Sequence, residues 1–197
     1  MHALIVIDVQ NDFCPGGALA VPGGDEIVQD INALMSEFDA VVLTQDWHPA
    51  GHSSFASTHD GRAPMDLIEM PYGPQVLWPD HCIQASPGAQ FHMALEADRA
   101  DLILRKGFRT EIDSYSAFFE NDHRTPTGLE GYLRTRGIDR LTMVGLALDF
   151  CVNFSAVDAA KLGFAVEVRE HLCRAIDFDS SLQAAKTGMQ QAGVALV

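Results

Sequence analysis

The feature that most constrains the fold is a succession of short, continuously apolar runs separated by stretches of helical period. The runs are Ala3–Asp8, Ala40–Asp46, Asp101–Lys106, Arg140–Leu146, Phe164–Arg169 and Gly193–Val197. Between them, Asp25–Phe38 places Ile27, Val28, Ile31, Leu34, Met35 and Phe38 on one helical face. Gln90–Ala97 reads as a short helix after Pro87-Gly88. Thr127 and Glu130 form a capping-box pattern that opens a helix stopping at Gly137. Cys151–Leu162, closed by Gly163, and Leu182–Ala192 complete the set. Strands that are apolar throughout, rather than alternating, are buried on both faces. The pattern therefore predicts an α/β fold in three layers, with a mostly parallel six-stranded sheet and helices on both faces. Residues 1–197 are expected to form one domain, since 197 residues is an ordinary single-domain length.

Charge narrows the partners. Thirteen Lys and Arg stand against 27 Asp and Glu, a net charge of −14, which leaves no basic stripe to track a phosphate backbone. The same balance disfavours an anionic membrane face. The apolar run after Met1-His2-Ala3 lacks a basic leader and a cleavage site, and no run approaches the ~20 residues of a membrane span. The four cysteines, Cys14, Cys82, Cys151 and Cys173, include no C-x-x-C pair. The expectation is a cytoplasmic protein with free thiols, binding neither nucleic acid nor membrane.

In open parallel sheets, ligands bind beyond the carboxyl ends of the strands. Here those ends carry Asp8, Asp46 and Lys106, and Cys151 follows shortly after the fourth strand. Singly, each could be an ordinary loop starter; together they mark one reactive sheet edge. With Asp149 as N-cap, Cys151 falls in the first helical turn, where free N–H groups favour a thiolate and could hold an oxyanion. Position alone leaves open a buried, inert thiol. Asp46 and His48, at i and i+2, share one side of an extended segment and suit zinc, manganese or iron. Two ligands do not make a site; His52, His59, His81 and His92 are candidate thirds. Phe13 and Trp78 lie in loops bordering the cleft, either as packing or as a clamp on a flat ring. The Trp47–Pro87 stretch, rich in Pro, Gly, His and Ser, is too long for a connecting loop, and loops of that length are usually functional or disordered.

Several segments together resemble the nicotinamidase/pyrazinamidase family of the isochorismatase-like cysteine hydrolases. They are Leu4-Ile-Val-Ile-Asp8-Val-Gln-Asn-Asp-Phe-Cys14-Pro-Gly-Gly, Thr44-Gln-Asp46-Trp-His48-Pro-Ala-Gly-His52, Trp78-Pro-Asp-His81-Cys, Lys106-Gly, Asp113-Ser-Tyr-Ser-Ala-Phe-Phe119 and Gly145-Leu-Ala-Leu-Asp-Phe-Cys151-Val. The resemblance implies a triad of Cys151 as nucleophile, Asp8 as proton acceptor and Lys106 as its cationic partner. It implies one divalent metal ion, zinc in the first instance and iron or manganese otherwise, held by Asp46, His48 and His81. In part of the family a further side chain, at the position of His52, joins the ion. A cis peptide before Ala147 is implied, with the N–H groups of Ala147 and Cys151 as the oxyanion donors. Phe13 and Trp78 match residues that sandwich a pyridine ring. The implied activity is hydrolysis of nicotinamide to nicotinic acid and ammonia in NAD salvage, and of pyrazinamide likewise, by a monomer or small homo-oligomer. Isochorismatases lack the nucleophilic cysteine and the metal set, and metal-free carbamoyl amidases lack the Trp78–Cys82 segment. A non-enzymatic metal or redox sensor would have no use for Asp8 and Lys106 converging on a thiol.

Overall fold

The computed structural model describes residues 1–197. Six strands form one sheet in the order β5-β2-β1-β6-β7-β8. These are β1 (His2–Ile7), β2 (Ala40–Asp46), β5 (Leu102–Lys106), β6 (Arg140–Leu146), β7 (Ala165–Arg174) and β8 (Ala195–Leu196). Every neighbouring pair in the sheet is parallel. Strand β1 lies inside the sheet, and its alternate residues feed two different cores. Ala3, Ile5 and Ile7 pack with Val42, Leu141 and Met143 beneath α2 (Leu129–Thr135), α3 (Asn153–Lys161) and α4 (Ser181–Gln191). Leu4 and Val6 pack with Leu43 and Val144 beneath α1 (Val28–Leu34), which contributes Val28, Ile31 and Leu34. Two apolar faces explain why the strands are apolar at every position. No helix is long and apolar enough to cross a membrane.

The chain leaves β1 toward β2 on one side and later returns through β6 on the other. Loops after β1 and β6 therefore diverge and open a crevice at the carboxyl end of the sheet. At that level β6 crowds β1. Gly145 has φ +117°, and a Cβ there would lie 2.1 Å from the Ile7 carbonyl oxygen, so only glycine fits.

Four local expectations are corrected. Gln90–Ala97 forms no helix: its turns serve side chains elsewhere, as where the Ala94 carbonyl accepts the Asn32 amide at 2.7 Å, and a short 3-10 turn follows at Ala97–Arg99. The Trp47–Pro87 stretch contains an antiparallel hairpin, β3 (Leu67–Met70) and β4 (Gly73–Val76). The capping box is half formed. Thr127 Oγ1 accepts the Leu129 N–H at 3.2 Å, but Glu130 turns to Arg134. Asp149 caps no helix; it lies inside a π-turn, Leu148–Val152, and α3 begins only at Asn153. Its carboxylate instead accepts from the N–H groups of Ile176 and Asp177 and from the Ser181 hydroxyl, tying the loop after β7 to this turn.

Candidate active site

Asp8, Asp46, Lys106 and Cys151 come from four consecutive strands of the sheet, and all are buried. Asp46 and Lys106 are register partners on β2 and β5. Asp8 follows β1 at φ +49°, and Cys151 follows β6 through the cis Leu146–Ala147 peptide. Lys106 Nζ is the hub. It lies 2.8 Å from Asp8 Oδ2, donates to Asp46 Oδ1, reaches Cys151 Sγ at 3.4 Å and gives a third hydrogen bond to the Ser114 carbonyl at 3.0 Å.

Asp8 Oδ1 accepts the Thr44 hydroxyl at 2.6 Å. Its Oδ2, although close to Nζ, has no well-directed hydrogen bond. That oxygen is the one left with a lone pair, in a group whose atoms come within 4.8 Å of the Cys151 sulfur and the Asp46 carboxylate. Lys106 alone would hold Asp8 ionised. Burial works against it and is the larger effect, so the Asp8 carboxyl is raised to about 6. Asp46 takes the short contact with Lys106 and faces two histidines as well, which holds it well below the usual carboxylate range. Burial pushes the Cys151 thiol up, and Lys106 only partly offsets this. The resting nucleophile is therefore a thiol that needs a nearby base.

His48 and His81 face the remaining oxygen of Asp46. Their Nε2 atoms lie 3.8 and 3.9 Å from Asp46 Oδ2. Each ring is oriented by a carbonyl: Nδ1–H of His48 donates to Gly107 at 2.8 Å and that of His81 to Pro79 at 2.8 Å. Both Nε2 lone pairs are thereby turned inward, as a metal site requires. Two ligands each about 2.1 Å from one ion can stand at most about 4.2 Å apart, so the spacing fits a divalent ion. The desolvated His81 ring, next to His48, is held down at about 4 and stays neutral, the state in which imidazole binds a metal. Both nitrogens of His52 are engaged, one by its own loop and one by the segment after β5. Nδ1 accepts the Ser54 N–H at 3.2 Å, and Nε2 faces the Ile112 carbonyl at 3.2 Å.

The slot above these groups is lined by Phe13, Trp78, Ala147, Cys151, Tyr115 and Phe150, among others. Phe150 packs edge-on against Trp78 at 4.9 Å and Tyr115 at 5.7 Å. A wider cleft between α3 and α4 shares Phe150 with the slot but holds no cysteine. Asp8, Phe13, Asp46, His48, Trp78, His81, Lys106, Ala147 and Cys151 thus come together at one place. Sequence reading missed Gln10, whose amide clamps Asp46 on both sides: Nε2 donates to the Asp46 carbonyl at 2.9 Å and Oε1 accepts its N–H at 2.8 Å. It also missed Asp12, whose Oδ2 accepts the Cys82 N–H at 2.7 Å and fixes the loop carrying His81. Both polar residues directly follow the first strand, and Gln10 is fully buried; only the polar run after Asp8 signalled them.

A model of the isochorismatase domain matches residues 2–197. The chain belongs to the isochorismatase-domain family. Among its relatives, the nicotinamidase of Acinetobacter baylyi is 56% identical over 192 residues, covering 98% of this chain and 90% of that one. The yeast nicotinamidase Pnc1p, solved with the inhibitor nicotinaldehyde, superposes with a TM-score of 0.93 at 32% identity, covering 100% of this chain and 99% of that one. The pyrazinamidase of Pyrococcus horikoshii, solved in complex with zinc, superposes with a TM-score of 0.79 at 33% identity, covering 100% and 98%. The six-stranded parallel sheet is the frame that the chain shares with these solved structures.

Proposed function

We propose that this chain is a nicotinamidase that hydrolyses nicotinamide to nicotinate and ammonia, and pyrazinamide to pyrazinoate, with a role in NAD salvage. The observation that carries the reading is the contact of Lys106 with both Asp8 and Cys151, beside a slot walled by Phe13 and Trp78. The nicotinamidases and pyrazinamidase to which the chain is similar support it.

In this mechanism Asp8 Oδ2 takes the proton of the Cys151 thiol as Sγ attacks the carboxamide carbon. The carbonyl π pair moves to oxygen, which is held by the backbone N–H groups of Ala147 and Cys151. Asp8 returns the proton to nitrogen, the C–N bond breaks, and ammonia leaves a thioester on Cys151. Water then gives a proton to Asp8 while its oxygen attacks the thioester, and the acid departs as sulfur recovers the proton. Lys106 orients Asp8 and offsets negative charge on sulfur. Phe13 and Trp78 hold the ring between them. Asp46, His48 and His81 would hold the divalent ion, with zinc the first choice, given the zinc-bound relative. The bound ion supplies a Lewis-acid anchor for the ring nitrogen. A cytoplasmic location and a monomeric or small homo-oligomeric state belong to the same proposal; the four free thiols fit a reducing compartment.

The test is a coupled ammonia assay of the metal-loaded protein on nicotinamide, pyrazinamide and a carbamoyl amide. Release from the first two is expected. Release from the carbamoyl amide alone would replace this reading with that of a carbamoyl amidase.

A further inference from the structure

Tyr115 opens on the slot beside Trp78, Phe150 and Cys151, and its hydroxyl is held in an unusual way. Two atoms lie within hydrogen-bond distance of the phenol oxygen: Trp78 Nε1 at 3.0 Å and Gln75 Nε2 at 2.8 Å. Neither has a lone pair to offer, since an indole N–H and an amide nitrogen only donate. The phenol oxygen therefore accepts from the protein, and its own hydrogen is left with no acceptor in the protein.

Gln75 enforces this. It lies on β4, fully buried. Its Nε2 lies within hydrogen-bond distance of three acceptors, Asp113 Oδ2 at 3.0 Å, the Val76 carbonyl at 2.7 Å and the Tyr115 oxygen, and its two hydrogens serve two of them at a time. Its Oε1 accepts from the Tyr72 hydroxyl at 3.2 Å and from Asn121 Nδ2 at 3.0 Å. Flipping the amide would set oxygen against a carboxylate and a carbonyl, so nitrogen is fixed on the Tyr115 side. A half-buried donor with no acceptor in the protein, at the wall of a substrate slot, is placed to meet a ligand atom.

Building on the amidase reading above, we propose that Tyr115 is a specificity-determining residue whose hydroxyl donates a hydrogen bond to an acceptor on the bound aromatic amide. That acceptor is the carboxamide oxygen or a ring nitrogen. Gln75 is the positioning residue that, with Trp78, turns the hydroxyl into an obligatory donor. Burial also raises the Tyr115 phenol well above its ordinary range, so the donor keeps its proton wherever the enzyme works. The arrangement selects ligands that present an acceptor at that edge over molecules of equal shape that present none. It also gives the hairpin, remote from the triad, a part in substrate choice.

The experiment measures affinity without turnover. Nicotinamide and pyrazinamide are titrated calorimetrically into metal-loaded Cys151→Ala protein, with and without Tyr115→Phe. The change keeps the ring and removes one neutral hydrogen bond, so binding should weaken roughly 3- to 10-fold. Equal weakening of both ligands assigns the bond to the carboxamide oxygen; weakening confined to pyrazinamide assigns it to the second ring nitrogen. Affinities unchanged for both would overturn the proposal. Gln75→Met should weaken binding when Tyr115 is present and add nothing in the Tyr115→Phe background. An equal loss in both backgrounds would mean that Gln75 supports the slot in general rather than acting through Tyr115. Wild-type ammonia release is scored separately, so failure of the amidase reading and failure of this inference are told apart.

Discussion

Asp8 and Asp46 follow neighbouring strands, are both buried, and both meet Lys106, yet the protein treats their carboxyls in opposite ways. On the nucleophile side, Asp8 has one hydroxyl and one lysine, and burial, with the Asp46 carboxylate nearby, raises it to about 6. On the ion side, Asp46 has the shorter lysine contact and two imidazoles, and is held far lower. The difference teaches that the residue type does not decide the role; the number of compensating charges around it does. A carboxylate that must accept and return a proton is left near the working pH. One that must stay charged is given the shorter lysine contact and two imidazole partners.

The largest expected effect comes from breaking the nucleophile side alone. Cys151→Ala should lower turnover of nicotinamide by about 10^4-fold or more. Binding should survive, because the ion side and the ring clamp are untouched. Turnover within tenfold of the parent would remove Cys151 from the mechanism.

Breaking the ion side alone should cost less and be selective for substrate. Stripping the ion with a chelator, or the change His48→Ala, should cut nicotinamide hydrolysis about 10^2-fold. Benzamide has the same shape without the ring nitrogen; it should be a poor substrate throughout and lose far less. Equal factors for the two amides would show that the ion acts on the chemistry or on the fold, and circular dichroism of the stripped protein separates those.

Lys106→Met tests the link between the sides. Asp8 acts as a base only when ionised, so kcat/KM of the parent should fall as pH drops below about 6. Without the lysine the Asp8 carboxyl rises further, and the acid limb should move up by about one pH unit or more. The stability effect has the matching sign. A folded-state value raised above that of the unfolded chain favours folding at low pH and loses that contribution as pH rises through it. The melting temperature of Lys106→Met should therefore recover toward the parent on acidification. An unmoved limb with normal activity would make the lysine structural.

The smallest effect is expected from Gly107→Ala. Gly107 has φ +64°, and a Cβ would stand 2.4 Å from His48 Cε1, while the Gly107 carbonyl holds His48 Nδ1. The ring must shift. Ion affinity should drop several-fold, up to about tenfold, while iodoacetamide labelling of Cys151 stays at the parental rate. Labelling that slows in step with ion loss would mean the two sides are not mechanically distinct.

The sheet and its reactive edge were legible because a parallel strand buried on both faces announces itself as an unbroken apolar run, and the run ends where the polar group begins. Asp46 and Lys106 need no tertiary guess once β2 and β5 are recognised. Other features depended on partners far along the chain. Asp149 looks like an N-cap locally, but its acceptors are taken by Ile176, Asp177 and Ser181. The hairpin that carries Gln75 was hidden because β3 and β4 are four residues each and only partly buried, with Pro74 inside one of them. Tyr115 and Phe150 lay within recognised segments, yet nothing in their spacing tells a pocket wall from core packing. Asp8 corrects the simplest reading of a carboxylate beside a lysine: desolvation has no sequence signature, and here it outweighs the pairing.

Lys106 touches Asp8, Asp46 and Cys151 at once. Substrate range and working pH are therefore inherited together in this protein. A lineage that abandons the ion by exchanging Asp46 for a neutral residue also hands the whole lysine charge to Asp8, making it a weaker base that stays ionised further into acid. Such a descendant would leave pyridine amides behind and find its optimum at lower pH in the same mutational step, without any change to its nucleophile.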